Sequence, residues 1–390
     1  MPFRPSSFIW WGAPRNFKEN LEDRRVSWLE LFYDLVYVIA IARITHHLSM
    51  HISLEGILEY TGLFALIFWG WLNGSLYHDI HGTEGLRTRL MTLWQMMIIA
   101  ALAITLDQPE EQGLVYTTVV FMIMQLYITY LWWSVGLYDK EHRKYNLPYT
   151  IFYLISFGLM GLSLWLPNEN LTWISPLILL FNYLPPFISN RILRREDRDL
   201  NLSSSMYERL GLFTIIVFGE LVIGVVNGVS EPGNLNLEIW LQFCLAMAIV
   251  FSLWWLFFTL VGNREPVKGF AKATRLELYY VPALISLGLM GAGFTHFFEG
   301  GHGKEVFFYA LAIFLMAISL ITGLLDFPEN FRVMEKPVKY SLRICALTFL
   351  LLGLVPLHIQ SVYFLLLILI LLVMEISYLN FQYYSRVRGK

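Results

Sequence analysis

The stretch from Trp28 to His47 reads as an apolar helix interrupted by three ionisable groups, Glu30, Asp34 and Arg43. Residues four apart share a helix face, so Glu30 and Asp34 form one acidic site with Asp34 a turn deeper, while Arg43 falls on roughly the opposite face. A second apolar stretch opens with Glu208 and Arg209 and reaches a third carboxylate at Glu220. At 1.5 Å per residue, Glu220 lies roughly 18 Å beyond the pair at the start of its helix. A charge at the centre of a membrane helix costs roughly 2.5–3.5 kcal/mol on insertion scales, so each of these groups needs a partner, water or a change of protonation. Superposing Leu31-Phe32 on Leu212-Phe213 predicts two contacts, Glu220 with Arg43 and Asp34 with Arg209. Such pairs either lock helices together or line a polar pathway for an ion, a proton or a small solute.

Other chemistry is thinly represented. Gln95, Gln125, Asn182, Glu277, Arg343 and Glu375 are scattered polar groups of the kind that bond between helices or reach for the membrane interface. His46, His47 and His51 cluster after the first stretch and His78 and His81 after the second, without the carboxylate or thiolate set that would complete a metal site. They read as interfacial histidines, and neither a metal nor a cofactor is expected. Cys244 and Cys345 both lie in apolar stretches and read as buried thiols. No nucleophile–base constellation and no phosphate-cradling loop is present, so an enzyme is not the leading expectation.

The elements that position these residues follow from composition. The chain is 56% hydrophobic and 15% charged, against about 25% charged residues in an ordinary soluble domain. A net charge of −2 gives no basic footprint for nucleic acid. Crossing a hydrocarbon layer takes about 20 mostly apolar residues. Twelve segments fit, near 29–47, 57–77, 90–106, 113–137, 147–166, 171–189, 207–228, 238–261, 275–298, 305–325, 338–356 and 358–383. The fold expected is therefore an all-α polytopic membrane protein with about twelve transmembrane helices.

Basic residues set the orientation, since cytoplasmic loops hold an excess of Lys and Arg. Arg4, Arg15, Lys18, Arg24 and Arg25 precede the first segment, and Arg87 and Arg89 follow the second. Lys140, Arg143 and Lys144, then Arg191, Arg194, Arg195 and Arg198, then Arg264, Lys268, Lys272 and Arg275, then Arg332, Lys336 and Lys339 mark later connections on the same side. The opposite side carries Lys304 alone. Both termini are thus expected in the cytoplasm, with residues 1–28 a cytoplasmic arm whose Phe8–Trp11 patch is too short for a signal-peptide core.

Thr88-Arg89-Leu90 recurs as Thr274-Arg275-Leu276, and Trp69 and Trp71 are echoed by Trp254 and Trp255. These echoes suggest a 6+6 parallel repeat, with halves at 29–200 and 201–390. Pro185-Pro186 should break the sixth segment, because proline lacks a backbone donor. The many Trp and Tyr residues near segment ends read as interface belts, and Gly219 and Gly224 as sites of close helix packing.

Two motifs carry a resemblance. Trp28-Leu-Glu-Leu-Phe-Tyr-Asp34-Leu-Val and Glu208-Arg209-Leu-Gly-Leu-Phe-Thr-Ile-Ile-Val-Phe-Gly-Glu220 are similar to the signatures of the bacterial low-temperature-requirement A family, with further likeness in Tyr77-His-Asp-Ile-His-Gly82, in Arg87-Thr-Arg-Leu and in Trp254-Trp255. The chain departs from that pattern at Ser205, Thr259 and Tyr280. The resemblance implies a multi-pass bacterial membrane protein linked to growth in the cold, and it supplies no molecular activity. A remoter likeness links Leu29-Glu30-x-Phe32-x-Asp34-x-Val36-Tyr37 to the first helix of the endolysosomal potassium channel family.

The function expected is an ion, proton or small-solute channel or transporter whose polar centre lies between the first and seventh helices. Its charges are Glu30, Asp34, Arg43, Glu208, Arg209 and Glu220, and its surroundings are the lipid bilayer. The alternatives are a membrane-embedded enzyme or envelope-maintenance factor acting on lipid, and a non-catalytic scaffold.

Overall fold

The computed structural model describes residues 26–50, 52–83, 85–106, 108, 110–138, 143–167, 171–195, 202–230, 236–262, 264–298, 304–356 and 359–388. The expected arm falls outside them as far as residue 25, as do His51 and the expected junction at 200/201. The helices, in chain order, are α1 (Trp28–Met50), α2 (Leu54–His81), α3 (Leu86–Thr105), α4 (Glu110–Tyr138), α5 (Arg143–Ser163), α6 (Leu171–Tyr183), α7 (Pro185–Arg195), α8 (Ser204–Ser230), α9 (Leu237–Phe257), α10 (Phe270–Phe298), α11 (Lys304–Thr322), α12 (Glu335–Gly353) and α13 (Ser361–Tyr383). No strand occurs among the described residues, only an isolated bridge between Pro266 and Leu325. The protein is all-α.

Eight of the helical stretches are long and apolar enough to cross a membrane: Leu86–Thr105, Gln112–Tyr138, Leu171–Ile192, Ser204–Ser230, Leu237–Gly262, Phe270–Thr295, Lys304–Thr322 and Ser361–Arg386. The other four expected segments fall in α1, α2, α5 and α12, which have the length, 19 to 28 residues, but not the apolarity. In α1 the deficit comes from Glu30, Asp34 and Arg43, and in α2 from Glu55, Glu59, Asn73, His78 and Asp79. Apolar length alone therefore accounts for eight spans rather than twelve. Ile123, Trp133, Val226, Leu351 and Met374 are among many large apolar side chains exposed along these helices. An apolar surface on that scale calls for lipid rather than water. The protein is a multi-pass membrane protein.

Two compact units make up the chain. The first takes in residues up to Ile44, Thr61–Arg209 and Gly269–Thr274, and the second Thr45–Tyr60, Leu210–Lys268 and Arg275–Lys390.

In the first unit α4 packs against α3 and α5, and α5 against α6 and α7. The expected break at Pro185-Pro186 is present, Leu184 separating α6 from α7. In an unbroken helix the carbonyl of Asn182 would accept from the amide of residue 186, which is proline and has no hydrogen to give. Trp69 supplies the missing donor, its Nε1 lying 3.0 Å from the Asn182 carbonyl oxygen. Trp69→Phe keeps an aromatic ring and removes that donor. A buried carbonyl left without a partner costs about 1–3 kcal/mol, so the variant is expected to unfold at lower temperature in detergent. An unchanged midpoint would show that the carbonyl is satisfied in another way.

In the second unit α11 packs on α12, and α13 on α9 and α12. Phe218, Phe257, Tyr280 and Phe314 stack edge and face at its centre. The bridge at Pro266 is flanked by backbone hydrogen bonds from Val267 to Leu324 and from Asp326 to Glu265, which tie the connection before α10 to the one after α11. Cys345 is buried as expected, but Cys244 is exposed on α9, facing outward from an apolar helix.

Candidate functional site

In the first unit, the part of α2 from Thr61 onward carries a polar buried face, with Asn73, Ser75, His78 and Asp79. Asn73 ties three helices together: its Nδ2 donates to the Trp69 carbonyl at 2.9 Å, and its Oδ1 accepts from Trp132 Nε1 of α4 at 3.1 Å and Tyr153 Oη of α5 at 2.7 Å. Gln125 Nε2 of α4 reaches Asn182 Oδ1 of α6 at 2.9 Å. A polar side chain in an apolar interior needs such partners, and here they join four helices.

The charged centre lies in the first two turns of α1 and α8. Asp34 and Arg209 are each 1% exposed. Arg209 grips Asp34 with two nitrogens, Nη2 at 2.5 Å from Oδ1 and Nε at 3.2 Å from Oδ2. Trp71 Nε1 of α2 adds a third hydrogen bond to Asp34 at 2.7 Å. Glu30, buried one turn earlier on α1, stands 3.6 Å from Arg209 Nη1, close enough for ion pairing and too far for a hydrogen bond. Glu30 also caps the start of α1, accepting from the amide and hydroxyl of Ser27 at 2.9 and 2.8 Å. The guanidinium rides over the rings of Tyr33 and Trp71, its carbon 5.5 and 5.7 Å from their centres. Paired charge, hydrogen bonds and aromatic faces together are what a buried guanidinium requires.

From this cluster a chain of polar groups runs deeper. Tyr33 Oη lies 3.3 Å from the Trp71 carbonyl and 3.1 Å from Tyr37 Oη, and Gln95 Nε2 of α3 donates to Tyr37 Oη at 3.0 Å and to the Gly70 carbonyl at 2.9 Å. Gly74 permits this, since a Cβ there would overlap both Tyr33 Oη and the Gln95 amide. A side branch runs along α8, where Ser205, one turn before Arg209, donates to Asp79 Oδ1 at 2.5 Å. His78 Nε2 is 3.0 Å from Thr92 Oγ1 of α3.

The structure thus brings together three of the residues singled out by sequence, Glu30, Asp34 and Arg209. Two expectations of buried charge are corrected. Arg43 and Glu208 are exposed, since each lies on a helix face turned away from the cluster. Glu220 is 3% exposed, within the second unit, and its Oε1 has no hydrogen-bond partner among the described residues. Its helix α8 runs against α10 there, the Glu220 carbonyl facing Gly291.

Sequence reasoning misses the parts played by Trp71, Tyr33, Tyr37 and Asp79, while Gln95 bonds between helices as expected. Trp69, Trp71, Tyr33 and Tyr37 are all buried rather than interfacial. His46 and His47 are exposed as interfacial residues would be, whereas His78 and His81 are buried. The available signal was spacing: Tyr33 and Tyr37 are four apart beside Asp34, and so border the acidic face. No group of three metal-ligating side chains occurs among the described residues.

Residues 25–376 match the family described as bacterial low temperature requirement A protein. An uncharacterized protein of Rhizobium meliloti (strain 1021) is 26% identical over 256 residues, 62% of this chain and 60% of that protein, so the chain spans about three fifths of the relative's length. The family match bears out the resemblance carried by the Glu30–Asp34 and Glu208–Glu220 motifs, while the likeness of the first helix to endolysosomal potassium channels is not borne out.

Proposed function

The chain belongs to the bacterial low temperature requirement A family, and from that premise we propose that it is an ion, proton or small-solute conduit of the cell membrane, with its polar centre at Glu30, Asp34 and Arg209. One observation carries this reading: a buried ion pair, continued by a hydrogen-bonded chain through Trp71, Tyr33, Tyr37 and Gln95, inside a protein that is otherwise apolar and lipid-facing. Ionisable groups in such a setting are costly and mark pathways more often than ordinary packing does.

In this reading Asp34 holds Arg209 in place, and the looser Glu30 contact is the one that exchanges. A cation or polar solute arriving beside Glu30 competes with Arg209 Nη1 for the carboxylate, at a separation where no hydrogen bond has to be broken. Tyr33, Tyr37 and Gln95 then offer hydroxyl and amide oxygens in succession. Glu220, buried with an unpartnered oxygen, serves as a second polar station in the other unit.

The proposed topology keeps twelve spans, with α1, α2, α5 and α12 crossing as protein-shielded helices, both termini cytoplasmic and two six-helix halves at 29–200 and 201–390 in a parallel repeat. The steep contrast in Lys and Arg between alternate connections supports it.

The test is reconstitution of the purified protein into sealed liposomes loaded with potassium or a pH-reporting dye. Dissipation of an imposed gradient is expected. Absence of flux under every gradient applied would remove the proposal. A packing role is favoured by the saturation of Asp34, whose oxygens meet three donors. That role predicts that exchanging the two residues, Asp34→Arg with Arg209→Asp, restores whatever either single change destroys.

A further inference from the structure

A second buried guanidinium has no counter-charge among the described residues. Arg87, the second residue of α3, is 4% exposed. Its Nη2 donates to Ser134 Oγ of α4 at 3.0 Å, and the Ser134 hydroxyl passes its own hydrogen to the Leu131 carbonyl at 2.8 Å. The guanidinium carbon lies 5.5 Å from the centre of the Tyr138 ring. Arg87 Nε and Nη1 are buried with no hydrogen-bond partner, and no carboxylate pairs with Arg87 among the described residues. The contrast with Arg209 is direct, since that side chain has two carboxylates beside it. An unpaired buried charge is costly, which favours an anion beside it.

The helix end points the same way. Gly85 caps α3 without a side-chain hydrogen bond, and the first turn contains no acid. Arg87 and Arg89 instead place two cations at the end where the helix dipole is already positive, the reverse of the usual preference. Arg87 itself lies in this turn, its head held against Ser134 and Tyr138 of α4. Free backbone amides, a positive dipole end and a guanidinium with unused donors are the components of a site for an anionic oxygen group. Tyr138, against which the guanidinium packs, and Arg89 are both exposed.

We propose that Arg87 and the amino-terminal turn of α3 bind a phosphate oxyanion. The group comes either from a phospholipid head, at the end of a membrane-crossing helix, or from free phosphate or a phosphorylated solute. Arg87 provides the charge-assisted hydrogen bonds, Ser134 and Tyr138 hold the guanidinium, and the α3 amides complete the coordination.

The test uses the full chain, purified in phosphate-free detergent and stripped of lipid. Thermal unfolding is followed against inorganic phosphate, with chloride at equal ionic strength as control, and separately in micelles doped with phosphatidylglycerol or with diacylglycerol, which lacks the phosphate. Stabilisation by phosphate identifies a free oxyanion, and stabilisation by phosphatidylglycerol alone identifies a lipid head. In either case Arg87→Gln is expected to weaken the apparent affinity about tenfold or more. Should Arg87→Gln fail to fold, Arg87→Lys keeps the charge, loses the planar donors and is expected to weaken binding several-fold. The proposal is overturned if no probe stabilises the wild type, if the Arg87 variants respond as it does, or if a response arises only after Glu84→Gln, which would mean that the chain supplies its own anion.

Discussion

Arg209→Gln is expected to be among the most damaging single substitutions in the protein. Removing the guanidinium leaves Asp34 buried with only the Trp71 hydrogen bond of the three it now accepts, and takes the nearby cation from Glu30. Breaking a buried pair by deleting one partner costs about 3–5 kcal/mol, because the remaining charge is stranded. Thermal unfolding in detergent reads this as a large drop in midpoint or a failure to purify folded protein. Adding Asp34→Asn should recover much of the loss, since a neutral amide pair keeps hydrogen bonds and removes the stranded charge. If the double variant is as unstable as the sum of the two singles, the residues act independently and the pairing is not what holds them.

Gly224→Val is expected to disrupt the second unit to a comparable extent. A Cβ at 224 would overlap the carbonyl of Gly291, which is backbone and cannot swing away, and Thr295 Oγ1 donates to the Gly224 carbonyl at 3.3 Å across the same contact. Overpacking of this kind typically costs 1–3 kcal/mol for a single methyl-sized group, so about that much is expected for Gly224→Ala and more for valine. Gly219 provides the control. Nothing lies within 4 Å of the position its Cβ would take, and Gly219→Ala should leave stability unchanged or raise it by about 0.5–1 kcal/mol. Equal sensitivity at the two positions would contradict the packing of α8 on α10.

The Asp34–Arg209 pairing was legible in sequence because a buried charge has few choices. Both residues stand in apolar stretches, and matching those stretches brought them into reach. The same matching also paired Glu220 with Arg43. Arg43, nine residues from Asp34 and on the other side of α1, is exposed there, where a long aliphatic stem carries a charged head outward. Trp69 and Trp71 were illegible for another reason. Tryptophan is equally at home in an interfacial belt and in a buried core with its N–H bonded, and only the geometry of the Asn182 carbonyl and of Asp34 separates these roles. Gly219 and Gly224 look alike in sequence, and their difference depends on which face of α8 meets Gly291. Helix existence was readable throughout. The polar helices α1 and α2 were also recognised, since length and flanking charge identify them where apolarity falls short.

The most direct test of the charged centre as a pathway compares ion flux in sealed proteoliposomes for the wild type and for the neutral pair Asp34→Asn with Arg209→Gln, matched for folded protein. The wild type should dissipate an imposed proton or potassium gradient, and the neutral pair, still folded, should leave it standing. Equal flux from both, or none from the wild type, would contradict the account.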